Sequence, residues 1–255
     1  MSRKLSTRKR PERDRHMLKE QLKIEEGVFD KRTMAAIWKM FNHNIISRLD
    51  FMIAKGKEAN VYVADSGSSI AGDQIILKIF RIETSSFDRR IDYVRGDIRF
   101  EGKEGRSPYE VVRTWCKKEY GNLMIARAAG LHSPIPYYFN GNVLAMEFIG
   151  DNGMPSRTLR ESELENPDAV MTAILSDLKK LYAAGLVHGD VSEYNILMRS
   201  NVPCLIDFGQ AVVLGHPNSG RFLERDIGNI ISYFSKHYGI EKDPTAVLDW
   251  LRKGD

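Results

Sequence analysis

Two short polar side chains, Asp190 and Asn195, lie five residues apart just ahead of an apolar run, and this spacing constrains the fold more than the composition does. The stretch reads His-Gly-Asp-Val-Ser-Glu-Tyr-Asn-Ile-Leu from position 188. Oxygen-bearing side chains of this kind form turns, and they are also ligands for hard cations. A second such segment follows, where the apolar run Cys204-Leu-Ile ends at Asp207-Phe-Gly. The rest of the chain indicates whether these residues form turns or a cation-binding site.

A lysine and a glutamate farther upstream also interrupt apolar patterns. Lys78 lies inside Gln74–Arg81, whose branched and aromatic residues predict a β-strand. Glu119 falls on the apolar stripe of a helix predicted over residues 107–130. A buried lysine requires a partner, so we predict that the strand lysine and the helix glutamate satisfy each other.

In chain order, Lys78, Glu119, Asp190 with Asn195, and Asp207 form the phosphoryl-transfer constellation of protein kinases. A cation must hold the ATP phosphates, a carboxylate must hold that cation, and oxygen ligands must hold Mg²⁺. A further carboxylate must orient the attacking group. The set predicts an α+β, bilobal, protein-kinase-like fold. Its N-lobe would be an antiparallel sheet with one main helix, and its reduced C-lobe would be mostly helical.

The same motifs carry a more specific resemblance. His188-Gly-Asp-Val-Ser-Glu-Tyr-Asn195, together with Leu205-Ile-Asp-Phe-Gly-Gln210, resembles the RIO family of atypical protein kinases. Gly56-Lys-Glu-Ala-Asn-Val-Tyr62 resembles the phosphate-loop segment of its type 1 subfamily. The charged segment 83–106 is similar in position to the flexible loop of that family. The resemblance covers roughly residues 30–250.

The resemblance implies a role for each matching position. Asp190 and Asp207 would be catalytic, and Asp207 would also accept phosphate as an aspartyl-phosphate in an ATPase cycle. Mg²⁺, or Mn²⁺ in its place, would bind Asn195 and Asp207. The implied ATP-binding set is Lys55, Gly56, Lys57, Glu58, Lys78, Glu119, Met146, Glu147, Ile149, Asn195 and Asp207. Within it, backbone groups of Glu147 and Ile149 would face adenine, with Met146 beside them.

Two departures from ordinary protein kinases bear on function. A single Gly56 stands where Gly-x-Gly-x-x-Gly is usual, and no Ala-Pro-Glu follows Gly209. Only about 45 residues remain after that glycine. We therefore expect no platform for peptide substrates, which suits autophosphorylation and ATP hydrolysis used as a conformational switch. The resemblance implies maturation of the small ribosomal subunit, with its precursor and rRNA as partners, and the short C-terminus favours an archaeal member.

Charge and hydropathy suggest how the chain is divided. Residues 1–15 carry a balance of +5 against +4 for the whole chain, so we predict a basic flexible tail over 1–29. An N-terminal helix over 30–48, an N-lobe over 49–149 with a flexible, structureless loop at 83–106, and a C-lobe over 150–255 follow. No apolar run approaches the roughly 18–20 residues that cross a membrane, and no secretory signal opens the chain. A cytoplasmic protein without membrane contact is expected.

Ser107 has two interpretations. In Ser107-Pro-Tyr-Glu110 it is the expected N-cap of a helix, with Glu110 completing a capping box. The resemblance also makes it a candidate autophosphorylation site, and the two roles are compatible.

Several alternative functions stay open at this point. The His-Gly-Asp and Asn pattern also occurs in small-molecule kinases of the aminoglycoside or choline type. A kinase acting within a transfer-RNA modification complex shares a compact C-lobe. An ATP-binding pseudokinase would keep the fold without turnover, and a purely RNA-binding module would need only the tail and the Arg-rich stretch 89–99.

Overall fold

The computed structural model describes residues 29–82, 87–102, 107–151 and 153–253. The predicted basic tail, apart from its last residue, therefore lies outside the described residues, as do parts of the predicted loop 83–106.

Helix α1 (Lys31–Asn42) opens the described chain as the sequence predicts. The Asp30 side chain accepts hydrogen bonds from the backbone N–H groups of Arg32 and Thr33, at 2.8 and 3.2 Å, which satisfies two of the unpaired donors at a helix start. The apolar face of α1 is buried against the sheet that follows, through Met34, Ile37, Met40 and Phe41.

Five antiparallel strands form the N-lobe sheet, in the order β1-β2-β3-β5-β4: β1 (Ile46–Lys55), β2 (Ala59–Ser66), β3 (Gln74–Phe80), β4 (Pro136–Asn140) and β5 (Val143–Glu147). Strand β3 is central and buried from Ile75 onward, as an apolar run predicts. Strands β1 and β4, the two edges of the sheet, are not predicted from the sequence. The helix predicted over residues 30–48 is shorter than expected. It ends at Asn42, and the residues from Ile46 onward belong to β1.

The prediction of a structureless loop over 83–106 is wrong for the residues described there. Helix α2 (Phe87–Val94) and a 3₁₀ turn (Ile98–Phe100) occupy this insertion. Val94 is fully buried and Phe100 is 7% exposed, both within the main core. Two apolar side chains are enough to pack this charged segment against the core. The charged residues around them hide that signal in the sequence.

Helix α3 (Pro108–Ala128) is the main N-lobe helix, at the place the sequence predicts. It packs against the insertion, the sheet and the 3₁₀ turn Phe208–Gln210 of the C-lobe. Glu119 belongs to its buried side together with Val112, Trp115 and Leu123. The apolar stripe seen in the sequence is therefore the side that faces the rest of the molecule.

The C-lobe is mostly helical, with short paired strands between the helices. Its elements are β6 (Gly150–Asp151), β7 (Met154–Pro155), α4 (Pro167–Ala183), β8 (Leu186–Val187), β9 (Ile196–Arg199), β10 (Val202–Leu205), β11 (Val212–Val213), α5 (Ser219–Tyr238) and α6 (Pro244–Arg252). One apolar core runs from Phe80 and Leu144 of the N-lobe sheet into the C-lobe helices. Among the described residues, no helix is both long and apolar enough to cross a bilayer.

Candidate active site

A buried ion pair joins the N-lobe sheet to helix α3. Lys78, in β3, is 8% exposed, and Glu119 is fully buried. The Lys78 Nζ atom donates to both carboxylate oxygens of Glu119, at 2.7 and 2.9 Å. The predicted contact between the strand lysine and the helix glutamate is confirmed, and it satisfies two charges that burial alone would make costly.

Asp207 brings a second carboxylate to the same lysine. Lys78 Nζ donates to Asp207 Oδ1 at 2.9 Å. Asp207 follows β10 with φ of 63° and ψ of 67°, a left-handed conformation that aspartate tolerates better than most residues. Its side chain is 45% exposed, toward the cleft between the lobes. The lysine therefore links one carboxylate of the N-lobe to one of the C-lobe.

These contacts keep the lysine and the C-lobe aspartate charged. Burial disfavours the Lys78 ammonium, but the charges of Asp207 and Glu119 outweigh it and raise the pKa of Lys78. At Asp207, the partial loss of solvent also opposes ionisation, but the Lys78 charge prevails and lowers the pKa of the carboxyl. A fixed cation beside an ionised carboxylate suits the binding of phosphate and a metal ion.

The loop that carries Asp190 is hydrogen-bonded to helix α5. Asp226 is fully buried, and its carboxylate accepts the backbone N–H groups of Gly189 (2.7 Å) and Val191 (3.0 Å), one on each side of Asp190. Gly189 has φ of +77°, where a β-carbon would lie 3.0 Å from the Gln210 carbonyl oxygen. Glycine is therefore required at this turn.

We expect Asp226→Ala to lower the free energy of unfolding by about 3 kcal/mol, because two buried N–H groups would lose their acceptor. Chemical denaturation followed by circular dichroism measures this loss. Asp249→Ala, at an exposed position of α6, is the matched control and should change stability by less than about 0.5 kcal/mol. Equal stability of the two variants would contradict the supporting role of Asp226.

Two amide side chains converge on one oxygen of Asp190. Asn195 Nδ2 donates to Asp190 Oδ2 at 3.1 Å and to the Asp190 carbonyl at 2.8 Å. Gln210 Nε2 donates to the same Oδ2 atom at 3.0 Å. Burial, followed by the charge of Asp207, raises the pKa of Asp190 to about 6. A pKa nearer to pH 7 makes the carboxylate a better proton acceptor at neutral pH.

A cleft of about 310 Å³ lies between the two lobes and collects these groups. Its lining includes Gly56, Lys57, Glu58, Lys78, Phe80, Trp115, Asp190, Asp207 and Gln210. Three of the four predicted phosphate-loop residues therefore line it, whereas Lys55 lies at the end of β1, paired with Asn60. Gly56 closes the turn by donating its N–H to the Ala59 carbonyl at 2.9 Å, and a β-carbon there would also lie 2.9 Å from that oxygen.

The predicted adenine contacts lie where β5 leads into the C-lobe. The Glu147 side chain is engaged, since it accepts the Ile135 N–H at 3.1 Å and lies 3.4 Å from Arg199. The Ile149 carbonyl accepts the Ser156 N–H at 3.0 Å. Met146 is half-buried and packs against two apolar clusters.

The residues predicted to hold a metal ion suit Mg²⁺ by their chemistry. Asn195 has its amide nitrogen on Asp190, which leaves the amide oxygen as its metal-binding atom. Asp207 supplies an ionised carboxylate. Amide and carboxylate oxygens are the ligand types that Mg²⁺ takes, usually with phosphate oxygens and water completing the shell.

Ser107 has the predicted capping role. Its backbone N–H donates to Glu110 Oε2 at 3.1 Å, and its Oγ accepts the Glu110 N–H at 3.4 Å. Both halves of the capping box are thus formed at the start of α3. Its predicted phosphorylation stays a prediction.

We expect Ser107→Ala to destabilise the protein by about 1 kcal/mol through loss of this cap. Thermal unfolding measures it. Ser107→Asp restores a capping acceptor next to the positive end of the helix dipole and should recover the loss. If alanine and aspartate unfold at the same temperature, the cap does not contribute to stability.

Sequence reasoning missed several polar residues that contact this site. Gln210 stood only within a motif, and its bond to Asp190 depends on how the chain turns after Asp207. Lys118 and Asn122 are fully buried on α3, and both donate to backbone carbonyls just after Asp207. A lysine and an asparagine on a helix usually predict a solvated face, so the sequence carries no signal for them.

The fold and the site define a protein of the kinase class. Among solved structures, the fold is similar to the Rio2 kinase–ADP/Mg²⁺–phosphoaspartate complex of Chaetomium thermophilum, with a TM-score of 0.65 over 86% of this chain and 66% of that one. At 21% identity this likeness concerns the fold alone. The bilobal kinase-like fold predicted from the sequence is confirmed.

Sequence comparison gives the family. A model described as the RIO domain matches residues 60–247. The RIO-type serine/threonine-protein kinase Rio1 of Haloferax volcanii is 38% identical over 232 residues, which cover 91% of this chain and 78% of that protein. Its counterpart in Methanocaldococcus jannaschii is 34% identical over 88% of this chain and 76% of its own. Human RIO1 is 34% identical over 83% of this chain, but that match spans 38% of the human protein.

The chain therefore belongs to the RIO family, in its type 1 branch, and it is a phosphotransferase. The expected family and enzyme class are confirmed.

Proposed function

We propose that this protein binds ATP with Mg²⁺, phosphorylates serine or threonine including its own, hydrolyses ATP slowly, and uses that cycle as a conformational switch in small ribosomal subunit maturation. A cytoplasmic location is part of the proposal. The observation that carries the chemistry is the meeting of Lys78, Asp190 and Asp207 in one cleft, each held by named partners.

The site offers a separate group for each requirement of phosphoryl transfer. Lys78 carries the positive charge for the ATP phosphates, and Glu119 holds its ammonium in place. Mg²⁺ bound at Asn195 and Asp207 would neutralise charge on the phosphates. Asp190 offers Oδ1 to the reacting group, because both amide donors use Oδ2.

Two routes use these groups. In the kinase route, a hydroxyl oxygen attacks the γ-phosphorus, the bond to the β,γ-bridging oxygen breaks, ADP leaves, and the hydroxyl proton passes to Asp190. In the ATPase route, a carboxylate oxygen of Asp207 attacks the γ-phosphorus and ADP leaves. Water then attacks the phosphorus of the acyl phosphate, which releases inorganic phosphate and restores the carboxylate.

The ribosomal part of the proposal has different support. It rests on membership of the RIO family and on the balance of +5 in residues 1–15. A basic segment binds the phosphate backbone of RNA through release of counterions, so its contribution falls as the salt concentration rises.

The test is incubation of the purified protein with γ-labelled ATP and Mg²⁺, with and without small ribosomal subunits. Released phosphate and protein-bound label are followed, beside Asp190→Ala, Asp207→Ala and the surface control Asp249→Ala. A hydroxylamine-labile label that is lost in Asp207→Ala, with turnover raised by subunits, is the expected result.

Other outcomes separate the alternatives. An acid-stable label passed to added proteins, without subunit dependence, would favour a protein kinase that is not a ribosomal switch. Transfer to aminoglycosides or choline would favour a small-molecule kinase. ATP binding without turnover in any condition would leave a pseudokinase.

A further inference from the structure

Helix α3 carries two buried polar residues for which the proposed reaction has no use. Lys118 and Asn122 are both fully buried and lie one helical turn apart, one before and one after Glu119 in the sequence. A buried lysine is costly unless its hydrogens are taken up. The partners of these two residues therefore indicate what they do.

Their partners are the carbonyl oxygens of the turn that directly follows Asp207, residues 208–211, here called the Asp207 turn. Lys118 Nζ donates to the Gly209 carbonyl at 3.0 Å and also to the Ala211 carbonyl. Asn122 Nδ2 donates to the Phe208 and Ala211 carbonyls, at 2.9 Å each. Three of the four carbonyls in the turn are thus held by one helix.

Burial lowers the pKa of Lys118 to about 7, but a neutral amine keeps two N–H bonds, so both hydrogen bonds form in either protonation state. The turn is also packed tightly on α3. At Gly209 a β-carbon would lie 2.9 Å from Trp115 Nε1, so a larger residue would displace either the turn or the Trp115 ring. The position of the Asp207 turn relative to α3 is therefore specified by polar contacts and by shape.

The other end of Asn122 contacts the insertion. Arg99 Nη2 donates to Asn122 Oδ1 at 2.8 Å. Arg99 is held in turn by Asp97, through Nε to Oδ1 at 2.9 Å and Nη2 to Oδ2 at 2.6 Å. Asp97 is 1% exposed and the Arg99 side chain 27%, so this two-pronged ion pair is partly shielded from solvent. Both ends of the Asn122 amide are used, which fixes its orientation.

A continuous series of direct contacts thus runs from the insertion to the Asp207 turn, which directly follows the candidate metal ligand. It passes from Asp97 to Arg99, from Arg99 to Asn122, and from Asn122 to the carbonyls that follow Asp207. The insertion is also docked on the C-lobe, where Tyr93 stacks on Phe222 at 5.2 Å between ring centroids. Its position therefore depends on the C-lobe, and the Asp207 turn depends on it.

We infer that Lys118 and Asn122 are positioning residues for Asp207, and that the insertion segment 97–100 controls them through Arg99. Phosphoryl transfer needs Asp207 at a fixed distance from Lys78 and the metal ion, and a shift of the turn changes that distance. A partner that binds the insertion would then alter the site without contacting it. The reference to a metal ion rests on the proposed function.

The first test needs neither nucleotide nor metal. Hydrogen–deuterium exchange of the peptide covering residues 208–213 is measured in wild type, Arg99→Met and Asn122→Leu. Arg95→Met is the matched control, since Arg95 is exposed in the same insertion but lies outside segment 97–100. We expect the peptide to exchange faster by about tenfold in Arg99→Met and by more in Asn122→Leu, as local opening becomes easier, with no change in Arg95→Met. If Arg99→Met exchanges as wild type does, the inference is wrong.

The second test measures how strongly Mg²⁺ increases ADP affinity, by calorimetry with Mg²⁺ and with EDTA. We expect that gain to fall by about three- to tenfold in Arg99→Met, while the affinity in EDTA stays within about twofold of wild type. Equal loss with and without Mg²⁺ would overturn the positioning role. Absence of any Mg²⁺ effect in wild type would contradict the proposed metal site, and the exchange experiment would still decide the inference. If Asn122→Leu does not fold, Arg99→Met, at a partly exposed position, gives the answer.

Discussion

Replacement of Asp190 by asparagine is expected to reduce phosphoryl transfer to hydroxyl acceptors by about 10³-fold, within the usual contribution of a positioned proton acceptor. The change keeps the shape of the side chain and removes its basicity. The amide oxygen of asparagine can still accept from Asn195 and Gln210, so the loop should keep its conformation. ATP affinity, which depends on Lys78 and the phosphate loop, should stay within about threefold.

Steady-state and single-turnover assays with γ-labelled ATP measure the rate, and fluorescence titration measures the affinity. Asp249→Asn is the control for loss of one surface carboxylate. A wild-type rate in Asp190→Asn would show that another group takes the proton. A loss of ATP affinity in parallel with the rate would instead indicate that the loop had collapsed.

The residues that were predictable from the sequence are those at which charge interrupts an apolar pattern. Lys78 in a buried strand and Glu119 on a buried helix stripe each demand a partner, and only a few partners are possible in a fold of this size. The helix cap at Ser107 was predictable for a different reason, because it depends on only four neighbouring residues.

The elements and residues that were not predicted from the sequence share a different cause. Strands β1 and β4 form the edges of the sheet, and an edge strand has little burial on which an alternating pattern could depend; β1 has one buried residue in ten. The insertion is placed by Val94 and Phe100, which contact residues far away in the chain. Lys118, Asn122 and Gln210 bond to backbone groups or loops whose approach only the folded chain defines.

Replacement of Lys78 by methionine is expected to abolish phosphoryl transfer and also to destabilise the protein by about 3–5 kcal/mol. Lys78 is the cation between Glu119 and Asp207, and methionine would leave the fully buried Glu119 without it. Chemical denaturation at several pH values measures the stability. The deficit should depend on pH with a defined sign.

The sign follows from the carboxylate left behind. With Lys78 present, burial already raises the pKa of Glu119 to about 7 against the lowering effect of the lysine, and loss of the Lys78 charge raises that pKa further. Folding then takes up a proton, and stability decreases as the pH rises from the ordinary value of 4.5 toward the folded-state pKa. The deficit of Lys78→Met should be smaller at pH 5 than at pH 8. A deficit independent of pH would mean that Glu119 keeps a positive partner in the variant.

A second substitution separates stability from function. Lys78→Met combined with Glu119→Gln removes both charges, and a neutral pair of similar volume should recover most of the lost stability. Activity should not return, because the ATP phosphates would lack the Lys78 ammonium. If the double variant regained phosphoryl transfer along with stability, the lysine would serve only to hold the two lobes together. If stability recovers and activity does not, the ion pair has two roles. It balances the charge of the buried Glu119, and its lysine supplies the positive charge that phosphoryl transfer requires.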